Sequence, residues 1–321
     1  MPAKILVTGG CGFLGRHVVA ELLARDYEVI NADKLTYAAD PSANAGTRSY
    51  ALWPIACEKL TPRAELEDIT GIIHLAAESH VDNSISAPSE TIRANIEAAL
   101  KILELARFYG VKVMLMSTDE VTGSLKRNDA PTNELSQLRS SSPYSASKAA
   151  CEHLAQAYRR TYGLNITCVR STNLFGPYQH PEKFIPRAIT YALSGRQPKL
   201  YAGGENVRDW LWVEDGARGV VEIFERGVAE VYCLGARNQR KNSDVMGAIC
   251  AALGVEPESV DDRPGHDLRY ATDPSYTDRS LPGWRRHDGA VFDALLTQTV
   301  DWYRNNQAWW RAAIERGGRW Q

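Results

Sequence analysis

The chain has 321 residues, with 37 lysines and arginines against 39 aspartates and glutamates and a net charge of −2. So even a balance excludes the electrostatic footprint of a nucleic-acid-binding protein or of a partner for anionic membrane. Hydrophobic residues make up 44% and charged residues 24%, an ordinary globular composition, and no apolar run approaches the ~18 residues needed to span a bilayer.

KILVTGG, residues 4–10, is an apolar, β-branched run closed by glycines, the pattern of a buried parallel strand. Helical periodicity follows over 16–27, and EVINAD at 28–33 reads as the next strand. Residues 34–70 carry polar turns and one possible strand near 50–55. GIIHLAA at 71–77 reads as a strand, and 91–110 as a long amphipathic helix with Gly110 as its C-cap. A strand at 111–117, a helix at 147–163 and a strand at 164–170 continue the alternation. Strands and helices alternating at these lengths predict an α/β fold, a Rossmann-type doubly wound parallel sheet. Beyond about residue 173, GPYQHPEKFIP and DRPGHDLRY are rich in turns. They predict a smaller, irregular α/β domain for substrate.

The six cysteines (Cys11, Cys57, Cys151, Cys168, Cys233 and Cys250) form no CxxC and no metal-ligand spacing. They read as reduced, buried thiols, and no metal is expected. MPAKILVTGG is too short for a signal peptide, so a cytoplasmic location is expected.

TGGCGFLG places Gly9, Gly10, Gly12 and Gly15 between the first strand and the first helix, with Phe13 and Leu14 opening that helix. Glycines there permit a tight turn and close backbone approach, and the helix N-terminus would face a pyrophosphate. Asp33 ends the second strand about 20 residues on, where an acid bonds a ribose hydroxyl and repels a 2′-phosphate. NAD is therefore expected rather than NADP, although the neighbouring Lys34 could soften that repulsion. Tyr144 and Lys148 are four apart and share a helical face. A nearby ammonium favours phenolate, which suits Tyr144 to remove a hydroxyl proton as hydride leaves. Thr118, or a serine near it, could hydrogen-bond the same oxygen. Asp119 and Glu120 are consecutive acids at a strand's carboxyl end, where parallel sheets open onto their ligands. Like charges so close disfavour double ionisation, which helps one of them keep a proton. They could serve adjacent atoms of one substrate if the backbone turns after Met116. Arg208 and Lys183 could clamp a pyrophosphate, with Arg263 and His266 adding donors.

The glycine loop together with YSASK resembles the extended short-chain dehydrogenase/reductase superfamily. HLAAESHVDNS, STDEV, GPYQHPEKFIP, NVRDWLWVED and DRPGHDLRY extend the resemblance to its nucleoside-diphosphate-sugar 4,6-dehydratases. The resemblance implies C4 oxidation of an NDP-hexose, dTDP-glucose first among candidates, by Tyr144 and Lys148 with Thr118 assisting. It implies Asp119 as general acid and Glu120 as general base. Asp33, Lys34, Leu75, Ala76 and Ala77 would line NAD. Glu78, Ser79, Asn173, Glu182, Lys183, Arg208, Asn242, Arg263 and His266 would hold the sugar nucleotide, with Leu200 and Tyr201 at the base. Residues 1–172, with a return segment at about 206–240, would form the NAD domain, and 173–205 and 241–321 the sugar-nucleotide domain. A homodimer through the helices near 91–109 and 144–162 is expected. Thr122 stands where the family usually has tyrosine. An NDP-sugar 4-epimerase or decarboxylase, or a non-catalytic NAD-binding protein, are the alternatives.

Overall fold

The computed structural model describes residues 2–262, 265–287 and 289–317. In chain order its strands are β1 (Lys4–Thr8), β2 (Glu28–Asp33), β3 (Tyr50–Pro54), β4 (Ile69–His74), β5 (Lys112–Thr118), β6 (Ile166–Ser171), β7 (Asn173–Phe175), β8 (Lys199–Tyr201), β9 (Val207–Trp212), β10 (Val231–Leu234), β11 (Gln239–Lys241) and β12 (Glu258–Val260). Seven of them form one sheet in the order β10-β6-β5-β4-β1-β2-β3. Every pairing in it is parallel. This is the doubly wound order, with the strand sequence reversing beside β1.

The period of two along β1 shows why the sheet needs two covers. Ile5 and Val7 join one core, with α1 (Phe13–Ala24) packed over it. Leu6 joins the opposite core, under α3 (Pro88–Tyr109) and α4 (Pro143–Tyr162); α2 (Val81–Ser86) packs against those two helices. Burying each such side chain stabilises the sheet by about 1.5–3 kcal/mol. The helices α5 (Phe184–Leu193), α6 (Val213–Arg226), α7 (Asn242–Leu253), α8 (Ser275–Ser280), α9 (Phe292–Asn305) and α10 (Gln307–Gly317) complete the chain. Val220, Val221 and Phe224 of α6 join α1 on the first face. Among the described residues, no helix is long and apolar enough to cross a membrane.

The second half is more helical than its turn-rich sequence suggests. Ile185, Ile189, Met246, Ile249, Leu296, Tyr303 and Trp310 interlock from α5, α7, α9 and α10. They cover Phe175, Trp210 and Trp212 of a three-stranded sheet, β11-β9-β7. Some boundaries also move. The helix carrying Tyr144 and Lys148 starts at Pro143, because Ser142 and Ser145 form a reciprocal capping box with proline at the first position. The long helix likewise begins at Pro88 rather than 91, and β4 stops at His74, leaving residues 75–77 as loop.

Candidate active site

The carboxyl ends of β1, β2 and β4 converge at Thr8, Asp33 and His74. Gly9 takes φ +73°, and a Cβ on it would lie 2.7 Å from the Ala76 nitrogen; a Cβ on Gly15 would collide with the Gly9 carbonyl oxygen. The loop and residues 75–77 are therefore packed backbone to backbone. Gly12 caps α1 without a side-chain acceptor, which leaves the first-turn N–H groups near Phe13 and Leu14 for an anion. Asp33 is held in place: its Oδ2 accepts the Cys11 N–H at 3.0 Å and its Oδ1 the Leu35 N–H at 2.8 Å. Lys34 beside it points to solvent. An uncapped helix start, a cradle closed to side chains and an acid at the end of β2 fit a dinucleotide.

At the end of β5 the strand runs on through Thr118, two residues beyond the expected turn after Met116. Thr118 then caps a short 3₁₀ turn, Asp119–Thr122, accepting the Glu120 N–H at 3.3 Å. The Thr122 hydroxyl closes the turn by donating to the Asp119 carbonyl at 2.7 Å. The turn separates the two acids: Asp119 is buried while Glu120 lines a cleft. Burial, then the charges of Glu120 and Asp209, hold the Asp119 carboxyl well above the usual carboxylate range. Its Oδ2 is buried with no hydrogen-bond partner, which suits a neutral acid.

Tyr144 and Lys148 project from α4 into the same interior, both buried. Burial depresses the Lys148 ammonium. Burial followed by the charges of Glu120 and Asp119 pushes the Tyr144 phenol up, and a hydrogen bond with Thr118 works the other way. Burial and two nearby acids, none of which the YxxxK spacing alone reveals, thus oppose the phenolate. The depressed His74, at about 3, owes its shift to burial and then to the Lys148 charge.

One cleft gathers Ser79, Glu120, Asn173, Glu182, Lys183, Leu200, Tyr201, Arg208, Asn242 and His266. Arg208 donates to the carbonyls of Val207 at 2.8 Å and Asp267 at 2.9 Å and lies 4.6 Å from the centre of the Tyr270 ring. Lys183 reaches the Ser79 carbonyl at 2.8 Å, and Glu182 accepts from the Tyr37 hydroxyl at 2.7 Å. His266 meets Asp262 at 2.6 Å. Glu78 is not among the cleft-lining residues. Its N–H donates to Asn95 Oδ1 at 2.8 Å and its Oε1 accepts the His80 N–H at 3.1 Å, so it braces the cleft wall. Arg263 lies outside the described residues.

Residues 5–235 match the NAD dependent epimerase/dehydratase family. The chain belongs to that family. Within it, the chain is 42% identical to a dTDP-glucose 4,6-dehydratase of Mycolicibacterium smegmatis, over 96% of this chain and 95% of the relative. An Escherichia coli dTDP-glucose 4,6-dehydratase is 39% identical over 97% of this chain and 96% of its own. The solved dTDP-glucose 4,6-dehydratase of Streptomyces venezuelae, with NAD bound, superposes with a TM-score of 0.90 at 38% identity, covering 97% of this chain and 99% of that one. A UDP-glucose 4-epimerase of Thermus thermophilus, also in complex with NAD, gives 0.84 at 29% identity, over 94% and 99%.

For this member of the epimerase/dehydratase family, sequence reasoning missed several cleft residues: Arg187 and Tyr191 of α5, and Asp267 and Tyr270. Arg187 and Tyr191 are four apart on an otherwise apolar helix, with a guanidinium-to-hydroxyl contact of 3.3 Å. That polar pair on an apolar face was the available signal. Asp267 and Tyr270 carry no such periodicity, since their segment is loop.

Proposed function

We propose that the protein removes water from a nucleoside-diphosphate hexose, with dTDP-glucose as substrate, leaving a 4-keto-6-deoxy sugar nucleotide. The observation that carries this reading is the split environment of the acid pair: a buried Asp119 that favours its proton and a cleft-facing Glu120, both beside Tyr144. An epimerase needs the tyrosine but not this pair. NAD, when bound, would supply the hydride chemistry that the C4 oxidation and the C6 reduction need.

Tyr144, as phenolate, takes the proton of the C4 hydroxyl, and Thr118 hydrogen-bonds the same oxygen; the proton Tyr144 gains makes good the one Asp119 gives up below. Lys148 places a buried positive charge on the same helix face. The ketone at C4 makes the C5 hydrogen acidic. Glu120, as carboxylate, removes that proton while Asp119 gives its own to the departing C6 oxygen, and water leaves. Glu120 then hands the proton back to C5. Gly9, Gly12, Phe13, Leu14, Gly15, Asp33, Lys34 and residues 75–77 would hold the cofactor. Arg208 and Lys183 would clamp the pyrophosphate, Leu200 and Tyr201 the base, and Asn173, Asn242, Glu182 and His266 the rest of the nucleotide sugar. Residues 1–172 with 206–240 would carry the cofactor, and 173–205 with 241–321 the sugar nucleotide. The described cysteines are all buried and unpaired, which supports a reducing, cytoplasmic setting. Exposed Ile92, Leu100 and Phe108 on α3 and Tyr162 on α4 support a homodimer through those helices.

The test is incubation of the purified protein with dTDP-glucose and other NDP-hexoses, read by loss of 18 mass units, roughly one water per sugar, and by the ultraviolet absorbance of a 4-keto sugar. Glu120→Gln should slow water loss by about 100-fold or more while C4 oxidation persists as bound reduced nicotinamide. Dehydration at an unchanged rate would remove Glu120 from its role.

A further inference from the structure

Behind the acid pair lies a second buried carboxylate that the steps above do not use. Asp209 lies in β9 with no exposed surface, one residue before Trp210, which pairs with Asn173. Its Oδ1 accepts the backbone N–H of Asn238 at 2.7 Å and its Oδ2 that of Ala236 at 3.1 Å. The Arg237 backbone N–H contributes as well. Gly235 lets the chain come this close, since a Cβ there would stand 3.0 Å from Asp209 Oδ2. Burial pushes the Asp209 carboxyl up, but three backbone N–H donors and the Arg286 charge favour its anion.

Asp119 has the opposite surroundings. Its Oδ2 has no partner, and its Oδ1 receives only a long 3.3 Å contact from the Thr118 hydroxyl. The two carboxyls share one interior. Thr118 pairs with Ser171, and the methyl of the next residue, Thr172, lies 3.4 Å from the same Gly235 Cβ position that Asp209 approaches. The charged and titratable groups around Asp119 are Glu120 in its own turn, Arg208 and Asp209 from β9, Tyr144 from α4 and Cys233 from β10. Arg208 is the opposing charge, and its guanidinium already serves two carbonyls and the Tyr270 ring.

We propose that Asp209 is a positioning residue for the elimination: its charge, locked by the main chain, keeps the proton on Asp119 so that Asp119 serves as acid while Glu120 stays ionised. The inference rests on the dehydratase reading. Burial and the Glu120 charge act on Asp119 in the same direction, and Asp209 adds to them from behind, as a third carboxylate that touches neither substrate nor cofactor.

The experiment compares kcat and KM against pH for the parent, Asp209→Asn, Asp119→Asn and the double variant. With Asp209→Asn, the alkaline limb of kcat should move down by about one pH unit or more, with kcat at pH 8 about ten-fold lower and KM within about two-fold. In the Asp119→Asn background, Asp209→Asn should move no limb, whereas a merely structural role would lower both backgrounds alike. A limb unmoved in folded Asp209→Asn overturns the inference. Should that variant fold poorly, infrared spectroscopy of the parent at pH 8 decides. A protonated-carboxyl band that vanishes in Asp119→Asn supports the proposal; a band that survives there and belongs to Asp209 overturns it. Absence of dehydration by the parent would instead sink the dehydratase reading itself.

Discussion

Asp119 and Glu120 show how one backbone turn makes two reagents from two similar side chains. On a continuing strand they would point to opposite faces; in the 3₁₀ turn one goes into the interior and one into the cleft. Tyr144 is harder to ionise than its spacing from Lys148 suggests, because burial and both acids oppose the phenolate. Tyr144→Phe should therefore lower turnover by about 10²–10⁴-fold while leaving NAD binding near that of the parent, measured by cofactor content after gel filtration. Two histidines give a pH prediction. Burial depresses His17 to about 4 and His74 to about 3, with Arg16 and Lys148 respectively adding to it. A lowered folded value means that the unfolded chain takes the proton first. Each neutral ring's contribution to stability is then complete above ~6.5 and declines as pH falls toward the folded value. The C2 proton resonances of both rings should stay flat between pH 8 and 5; a midpoint near 6.5 for either would contradict its burial.

At the scale of elements, α1 and α4 are placed by their first turns. The Ser142–Ser145 capping box with Pro143 starts α4 where Tyr144 and Lys148 reach the ends of β5 and β6. Gly15, in the first turn of α1, sits against the Gly9 carbonyl. Gly15→Ala should displace the loop and abolish NAD binding, measured by calorimetric titration, with the fold retained by circular dichroism. Helices α9 and α10 act on the same loop from the far end of the chain. Trp309 donates to Asp40 Oδ2 at 2.9 Å, and Arg16 of α1 donates to the same oxygen at 2.9 Å. The Arg16 guanidinium lies 3.4 Å from the centre of the Tyr178 ring, and Trp302 and Trp309 pack on that ring. Trp309→Ala removes a hydrogen bond and a ring from this cluster. It should destabilise the protein by about 2–4 kcal/mol in urea unfolding and weaken NAD binding, because Asp40 also donates its N–H to the Cys11 carbonyl in the glycine loop.

For the whole molecule, the sheet and its two cores form a rigid platform whose strand ends carry the chemistry. A buried ion pair ties the platform to the loop at 133–136: Arg170 meets Glu152 at 2.8 Å and donates to the Asn133 carbonyl at 3.2 Å. Removing Glu152 alone would strand that guanidinium, so Glu152→Ala should cost about 3–5 kcal/mol, read as a fall in the unfolding midpoint. On the outer face, Leu100 is 40% and Phe108 67% exposed, more apolar surface than a solitary helix face needs. If the proposed homodimer forms through α3, Leu100→Asp with Phe108→Glu should leave a monomer in sedimentation velocity, and an unchanged sedimentation coefficient would exclude α3 as the interface.

The local signals were readable in the amino-acid order. The doubly wound sheet, the glycine loop, Asp33, the acid pair and the Tyr144–Lys148 spacing each depend on residues within a few turns or strands of one another. Backbone geometry ties such patterns to the sequence through periods of 2 and 3.6, caps and glycine φ angles. Long-range packing decided the rest. Arg187, Tyr191 and Tyr270 join the cleft, Tyr144 meets opposing carboxylates, and Asp209 stands behind Asp119 because strands and helices far apart in the chain are pressed together. Burial and the fields of distant charges set those environments, and neither exists until the chain has folded.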